Sequence, residues 1–167
     1  MSAEAKVAVA HAATGTTWSG SPRRVSVHGR TFAVSTAGRG RPVVVLLHGI
    51  PGCRASFDGV AERLAPHVRV IAPDLLGFGE SDRAPAGAHA GEQARWILGL
   101  LDALDVPEGH LVGFDYGGPI AVLAAARAPE RFRSVALAAT NLFPDTPIPA
   151  PLAIARVPAL GDLVFRL

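Results

Sequence analysis

Four apolar runs stand out along the chain: PVVVLLHG (42–49), VRVIAPD (68–74), HLVGFD (110–115) and FRSVALAATN (132–141). Runs rich in branched aliphatic residues, with little polar alternation, are what strands buried on both faces look like in a parallel sheet. Stretches of helical period lie between them. SFDGVAERLAPH (56–67) is apolar at 57, 60, 61 and 64. Residues 89–105 place Ala94, Ile97, Leu98, Leu101 and Leu104 on one face, and GGPIAVLAAARAPE (117–130) is a helix closed by Pro129. Ahead of all these, RVSVHG (24–29) and RTFAVSTAG (30–38) alternate with period two and meet at His28-Gly29, which predicts a hairpin. The strand–helix alternation predicts an α/β fold: a doubly wound, mostly parallel sheet with right-handed crossovers and helices on both faces.

The flanks differ from this core. Residues 1–22, rich in Ala, Ser, Thr and Gly, read as a flexible N-terminal tail, and 23–142 as the core. Residues 143–167 carry Pro144, Pro147, Pro149, Pro151 and Pro158 and read as an excursion from the sheet ending in a short apolar helix.

Composition narrows the class. With 49% hydrophobic against 18% charged residues, most of the chain is expected to be folded. The net charge is only +2, Lys6 is the single lysine, and the arginines are scattered without interleaved aromatics. No nucleic-acid partner is expected. Cys53 stands alone, which excludes an internal disulfide and a cysteine metal site and fits a reducing compartment. No apolar run approaches the roughly 18–20 residues needed to span a bilayer. The opening MSAEAKVAVAHAA is broken by Glu4, Lys6 and His11 and does not read as a signal peptide. A cytoplasmic protein with no membrane partner, no metal and no cofactor is the expectation. AGRGRP (37–42) lacks the Lys-Ser/Thr of a phosphate loop, and no nucleotide-binding G-x-G-x-x-G occurs.

The chemistry gathers at strand ends. In an open α/β sheet ligands bind at the carboxyl edge. There stand HGIPG (48–52), PDLLGFGESD (73–82), GFDYGG (113–118) and Asn141 with Asp145. GFDYGG has the rhythm of a nucleophile turn with Asp115 at its apex, and Gly113, Gly117 and Gly118 supply the small neighbours such a turn needs. On the turn alone two roles are open: Asp115 caps the following helix, or it attacks a substrate. HGIPG favours the second. Its turn can aim the Ile50 N–H into the same crevice, where it and the Tyr116 N–H would form a two-donor oxyanion hole. His48 and Gly49 read as loop-bracing residues and Pro51 as a stiffener.

HGIPG, DLLGFGESD and VGFDYGGPIA, in that order and spacing, resemble the first half of an α/β-hydrolase. The aspartate apex resembles the branch of haloalkane dehalogenases and epoxide hydrolases, whose motifs read HG-x-P, D-x-x-G-x-G-x-S and G-x-D-W-G-G. The resemblance covers residues 24–150. It implies that Asp115 opens an epoxide or displaces a halide from a small apolar organic substrate, forming an alkyl-enzyme ester, with Ile50 and Tyr116 as the oxyanion hole. Water activated by a His would then attack the ester. Tyr116 departs from the Trp that donates to the leaving halide in dehalogenases, and the Ile50 side chain cannot donate; both sub-branches stay open. The family's catalytic His lies after the last strand, whereas His11, His28, His48, His67, His89 and His110 all precede Asp115. Residues 143–167 then correspond to the start of a helical cap, and the expectation is a chain truncated before the cap and last strands. Its strand 132–141 would be an open apolar edge able to self-associate. The alternative is a non-catalytic scaffold that pairs this edge with a partner.

Overall fold

The computed structural model describes Trp18, residues 22–86 and residues 88–143. The predicted cap segment from 144 onward and Asp145 lie outside the described residues, as does the tail apart from Trp18 and Pro22. Six strands form one sheet: β1 (Arg23–Val27), β2 (Arg30–Ala37), β3 (Val43–Leu47), β4 (Arg69–Pro73), β5 (Gly109–Phe114) and β6 (Phe132–Ala138). Their order across the sheet is β1-β2-β4-β3-β5-β6. The β1–β2 and β2–β4 pairs are antiparallel, and β4–β3, β3–β5 and β5–β6 are parallel. Val45 pairs with Ile71 on one side and Leu111 on the other.

Among the described residues three α-helices pack on the sheet: α1 (Asp58–Leu64), α2 (Ala90–Ala103) and α3 (Gly117–Arg127). The unbroken apolar runs have a direct cause, since each central strand feeds two cores. Val43, Val45, Leu47, Ile71 and Leu111 join α2 and α3 in the larger core through Ile97, Leu101 and Ile120. Leu46, Val70 and Ala72 point to the other face and meet Phe57 and Ala61. Trp18 completes this second core, and its indole N–H donates to Asp58 Oδ1 at 2.5 Å. Leu46, Leu47, Ile71, Leu101 and Leu111 are wholly buried; each such side chain contributes about 1.5–3 kcal/mol.

The hairpin forms at His28-Gly29, where φ is +45° and +77°, the left-handed pair that matches strand twist. The His28 ring meets Trp96 of α2 edge-on at 6.0 Å and ties the hairpin to the helix layer. Two helices are shorter than their patterns. The 56–67 stretch divides into a 3-10 turn at Arg54–Phe57 and α1, and Pro66 has no N–H to extend the ladder. The helix read over 117–130 ends at Arg127, and Pro129 opens a second 3-10 turn (Pro129–Arg131).

The 132–141 run reads from its pattern as a strand buried on both faces, whereas the resemblance implies an open apolar edge. The first expectation is overturned, since β6 is largely exposed and Leu137 keeps 41% of its surface. It lies at the sheet edge beside β5 alone, so among the described residues one of its flanks has no neighbour to bury it.

After β3 the chain moves to β4 on one side, then returns across β3 to β5 on the other. The strand order reverses there, and the crevice opens at the carboxyl ends of β3 and β5.

Candidate active site at the β3–β5 crevice

Only Asp115 and Tyr116 separate the end of β5 from the start of α3. The turn is sharp, and Asp115 takes φ +48°, a conformation that costs a non-glycine residue about 1–3 kcal/mol. The surrounding glycines are sterically required. A Cβ on Gly113 would stand 2.5 Å from the Gly117 carbonyl oxygen and 2.6 Å from the Gly118 Cα. One on Gly117 would run into the Leu47 carbonyl, and one on Gly118 into Thr140. The backbone of Asp115 is held on both sides. Its N–H donates to the Ala138 carbonyl at 3.1 Å, and its carbonyl accepts the Gly118 N–H at 3.0 Å and the Thr140 hydroxyl at 2.7 Å.

The Asp115 carboxylate is partly buried and does not cap α3. Tyr116 is the N-cap residue of α3, and its side chain makes no cap hydrogen bond. Instead Oδ2 accepts the Ile50 N–H at 2.7 Å from the loop after β3. The capping role left open by the turn motif is therefore not what the carboxylate does. Gly49 permits this approach, since a Cβ there would lie 2.6 Å from both Cβ and Oδ2 of Asp115. The Tyr116 N–H, at the unfilled start of α3, has no backbone or side-chain acceptor among the described residues. The Tyr116 ring packs on the larger core, and burial pushes its phenol up, so it stays protonated at neutral pH.

The HGIPG loop is fastened from beneath. His48 is wholly buried. Its Nε2 accepts the Leu75 N–H at 3.0 Å, which leaves the proton on Nδ1, 2.9 Å from the Gly49 carbonyl oxygen. Burial pushes its pKa down, partly opposed by the Gly49 carbonyl and the Asp74 charge. The ring also meets Phe78 edge-on at 5.6 Å. Pro51 follows Ile50 at the exposed tip.

A second fastening, between Arg54 and Asp74, escaped the sequence reading. Asp74 is fully buried, accepts the Arg54 N–H at 2.7 Å and the Glu80 N–H at 2.8 Å, and is bridged by the Arg54 guanidinium. That guanidinium continues to Glu80 at 2.5 Å and Ser35 at 3.1 Å. Desolvation works against the Arg54 charge, but Glu80 and Asp74 outweigh it and its pKa rises. Gly79 has no room for a Cβ beside Asp74. The signal was the D-x-x-G-x-G-x-S spacing itself, whose Ser81 hydroxyl donates back to the Asp74 carbonyl at 2.7 Å.

The ends of β3, β4 and β5 meet through these bonds, and Thr140 beyond β6 joins them at the Asp115 carbonyl. Asn141 turns inward on its own loop, accepting the Phe143 N–H at 3.0 Å. The described histidines with ring contacts are engaged elsewhere: His28 with Trp96, His48 in its loop, His89 at the start of α2, and His110 with Ser134 across β5 and β6. A groove of about 600 Å³ lined by Arg41, Asp102, Asp105, Val106, Pro107 and Arg131 opens at the opposite, amino edge of the sheet. Its arginines pair with Glu108 and Asp102, and it shares no residue with the crevice. Among the described residues no group of His, Cys, Asp and Glu could hold a metal ion.

A sharp strand–turn–helix with a polar side chain at its apex, facing an amide from the neighbouring strand's loop, is the layout of the hydrolase class built on a doubly wound sheet. A family model of the alpha/beta hydrolase fold matches residues 42–166, and the chain belongs to that family. It is 38% identical over 120 residues to a 2-hydroxymuconate semialdehyde hydrolase of Pseudomonas putida, spanning 69% of this chain and 42% of that protein. It is 35% identical over 106 residues to a haloalkane dehalogenase of Mesorhizobium japonicum, 64% of this chain and 34% of that one. An epoxide hydrolase structure from Vigna radiata superposes with a TM-score of 0.75 at 24% identity, covering 86% of this chain and 52% of that chain, a likeness of fold. The chain therefore spans about half or less of the length of these proteins.

Proposed function

We propose that this chain carries the nucleophile and oxyanion hole of an aspartate-based hydrolase acting on a small apolar haloalkane or epoxide. The observation that carries the reading is the Asp115 carboxylate aimed at the Ile50 amide rather than at the helix it precedes. A carboxylate is ionised at neutral pH and needs no base to attack sp³ carbon. Oδ2 is held by the Ile50 N–H, and Oδ1 has no hydrogen-bond partner among the described residues. Oδ1 forms the new C–O bond while the carbon–halogen bond breaks and the halide leaves with its electron pair. With an epoxide, the ring C–O bond breaks and the alkoxide takes a proton from water.

In the resulting ester Oδ2 is the carbonyl oxygen. Attack of water on the ester carbon puts negative charge on Oδ2, where the amides of Ile50 and Tyr116 can receive it. That water needs a general base, which the described residues do not bring to Asp115. The kinship with a dehalogenase of known sequence supports the substrate class. The apex carboxylate argues against acyl transfer, for which a hydroxyl is suited.

The test is incubation with bromobutane or epoxybutane followed by intact-mass spectrometry and peptide mapping. A single adduct on Asp115, absent from Asp115→Asn, is expected. No adduct on folded protein, or one on another residue, overturns the reading.

A second reading draws on the exposed β6, where Leu137 keeps 41% of its surface, and on Phe114 at the end of the neighbouring β5, which keeps 42%. An edge strand of this kind can pair with a second copy or another chain. Light scattering coupled to size exclusion decides it: a stoichiometric oligomer supports pairing, and a monomer removes it. No described helix is long and apolar enough to cross a membrane; a cytoplasmic setting is part of the proposal.

A further inference from the structure

The β5–β6 ladder does not end where its strands end. Phe114 pairs with Ala138, and the next rung begins normally, with the Asp115 N–H donating to the Ala138 carbonyl. In a parallel ladder the Asp115 carbonyl would then accept the backbone N–H two residues further on, that of Thr140. Here the backbone has swung away, because Ala139 takes φ +46°. The Thr140 side chain fills the vacated role: its hydroxyl, not its amide, donates to the Asp115 carbonyl at 2.7 Å.

The same oxygen accepts the Gly118 N–H at 3.0 Å, so one carbonyl collects a donor from its own turn and one from the segment that follows β6. Thr140 also lies directly against the first turn of α3, where Gly118 leaves no space for a Cβ. Two left-handed non-glycine residues, Asp115 and Ala139, are thus joined by one hydroxyl.

We propose that Thr140 is a positioning residue for Asp115: its hydroxyl fixes the left-handed turn that aims the carboxylate at the Ile50 amide. The role in reaction rate rests on Asp115 being the nucleophile, whereas the hold on the turn does not. It also makes the aim of Asp115 depend on the path the chain takes as it leaves β6.

Thr140→Val keeps the shape and removes the donor; Thr140→Ser keeps the donor and removes a methyl group. Two measurements are made on the full chain. In amide hydrogen exchange, Thr140→Val is expected to accelerate the Asp115 and Gly118 amides about tenfold relative to Leu111 and Val112 in β5, since a turn amide exchanges through local opening. In the bromobutane reaction it is expected to slow adduct formation about tenfold, within what a misplacement near ~1 Å costs. Thr140→Ser is expected to stay within about twofold of the parent in both. Unchanged exchange in Thr140→Val overturns the proposal, and so does a Thr140→Ser as impaired as the valine variant, which would assign Thr140 to packing. Accelerated exchange with an unchanged alkylation rate also overturns the positioning role. If the parent protein forms no adduct, the nucleophile reading of Asp115 falls, and the exchange comparison still decides whether Thr140 holds the turn.

Discussion

The Ile50 amide and the Asp115 carboxylate face each other at 2.7 Å across the gap between β3 and β5, although 65 positions separate them in the chain. The approach is possible because Gly49, one residue before the amide, has no side chain to occupy the gap. Gly49→Ala would place a Cβ 2.6 Å from both the Cβ and Oδ2 of Asp115. The variant is expected to lose about 1–3 kcal/mol by overpacking and to lose most Asp115 alkylation, because the carboxylate must turn away from the amide. Denaturant titration and adduct formation, measured on the same preparation, check both halves.

Arg54 and Asp74 make the analogous statement one step further from the chemistry. Asp74 is fully buried and the Arg54 side chain only 15% exposed, so removing the cation leaves a carboxylate without its counter-charge. Arg54→Met is expected to cost about 3–5 kcal/mol. Adding Asp74→Asn to it is expected to restore part of that loss, and a double-mutant cycle from urea denaturation gives the coupling. Additive losses would mean the two residues act independently.

The core strands were legible because burial on two faces writes an unbroken apolar run, and the β3 and β4 patterns map residue by residue onto the two cores. The same logic overstated the burial of FRSVALAATN, which the resemblance marks as an open edge. An apolar run reports what a strand can bury, whereas exposure depends on neighbours, and β6 has only β5 beside it. At the site, the glycine-framed turn and the HG-x-P loop were visible because sterics dictate glycine there. The turn motif alone leaves capping and facing the crevice open, and it is HGIPG that favours the second; the direction in which the carboxylate points is given by the Ile50 N–H it accepts. Thr140 and the Arg54 partner of Asp74 were harder to see for a related reason: the D-x-x-G-x-G-x-S spacing marks Asp74 but not the cation that meets it. Each joins loops whose meeting is a product of strand order, and Thr140 gains its role only through the conformation of Ala139.

His48 gives the site a pH dependence with a definite sign. Burial holds its folded pKa below the ordinary 6.5, so as pH falls the unfolded chain binds the proton before the folded one does. Stability then declines on acidification from about 6.5 down to the folded value and is independent of this residue above that window. His48→Gln is expected to flatten the decline in urea midpoint between about pH 7.5 and about pH 5.5. An equal decline in both proteins would assign the acid sensitivity to other groups.

Tyr116 bears on which leaving group the crevice serves. Its position follows the apex of the turn, where the resembling dehalogenases carry a Trp whose indole N–H binds the departing halide. Here the ring packs on the larger core and its phenol, kept protonated by burial, has no acceptor among the described residues. Tyr116→Trp would put a donor on a rigid ring beside Asp115. It is expected to raise the alkylation rate with bromobutane about tenfold, the worth of one charge-assisted hydrogen bond to an anion, and to leave the epoxybutane rate within about twofold. Parallel single-turnover mass measurements with the two reagents give the ratio. A shift towards the halide would mean that Tyr116 is what tunes this site to epoxides. An equal response to both reagents would place leaving-group selection elsewhere than at this residue.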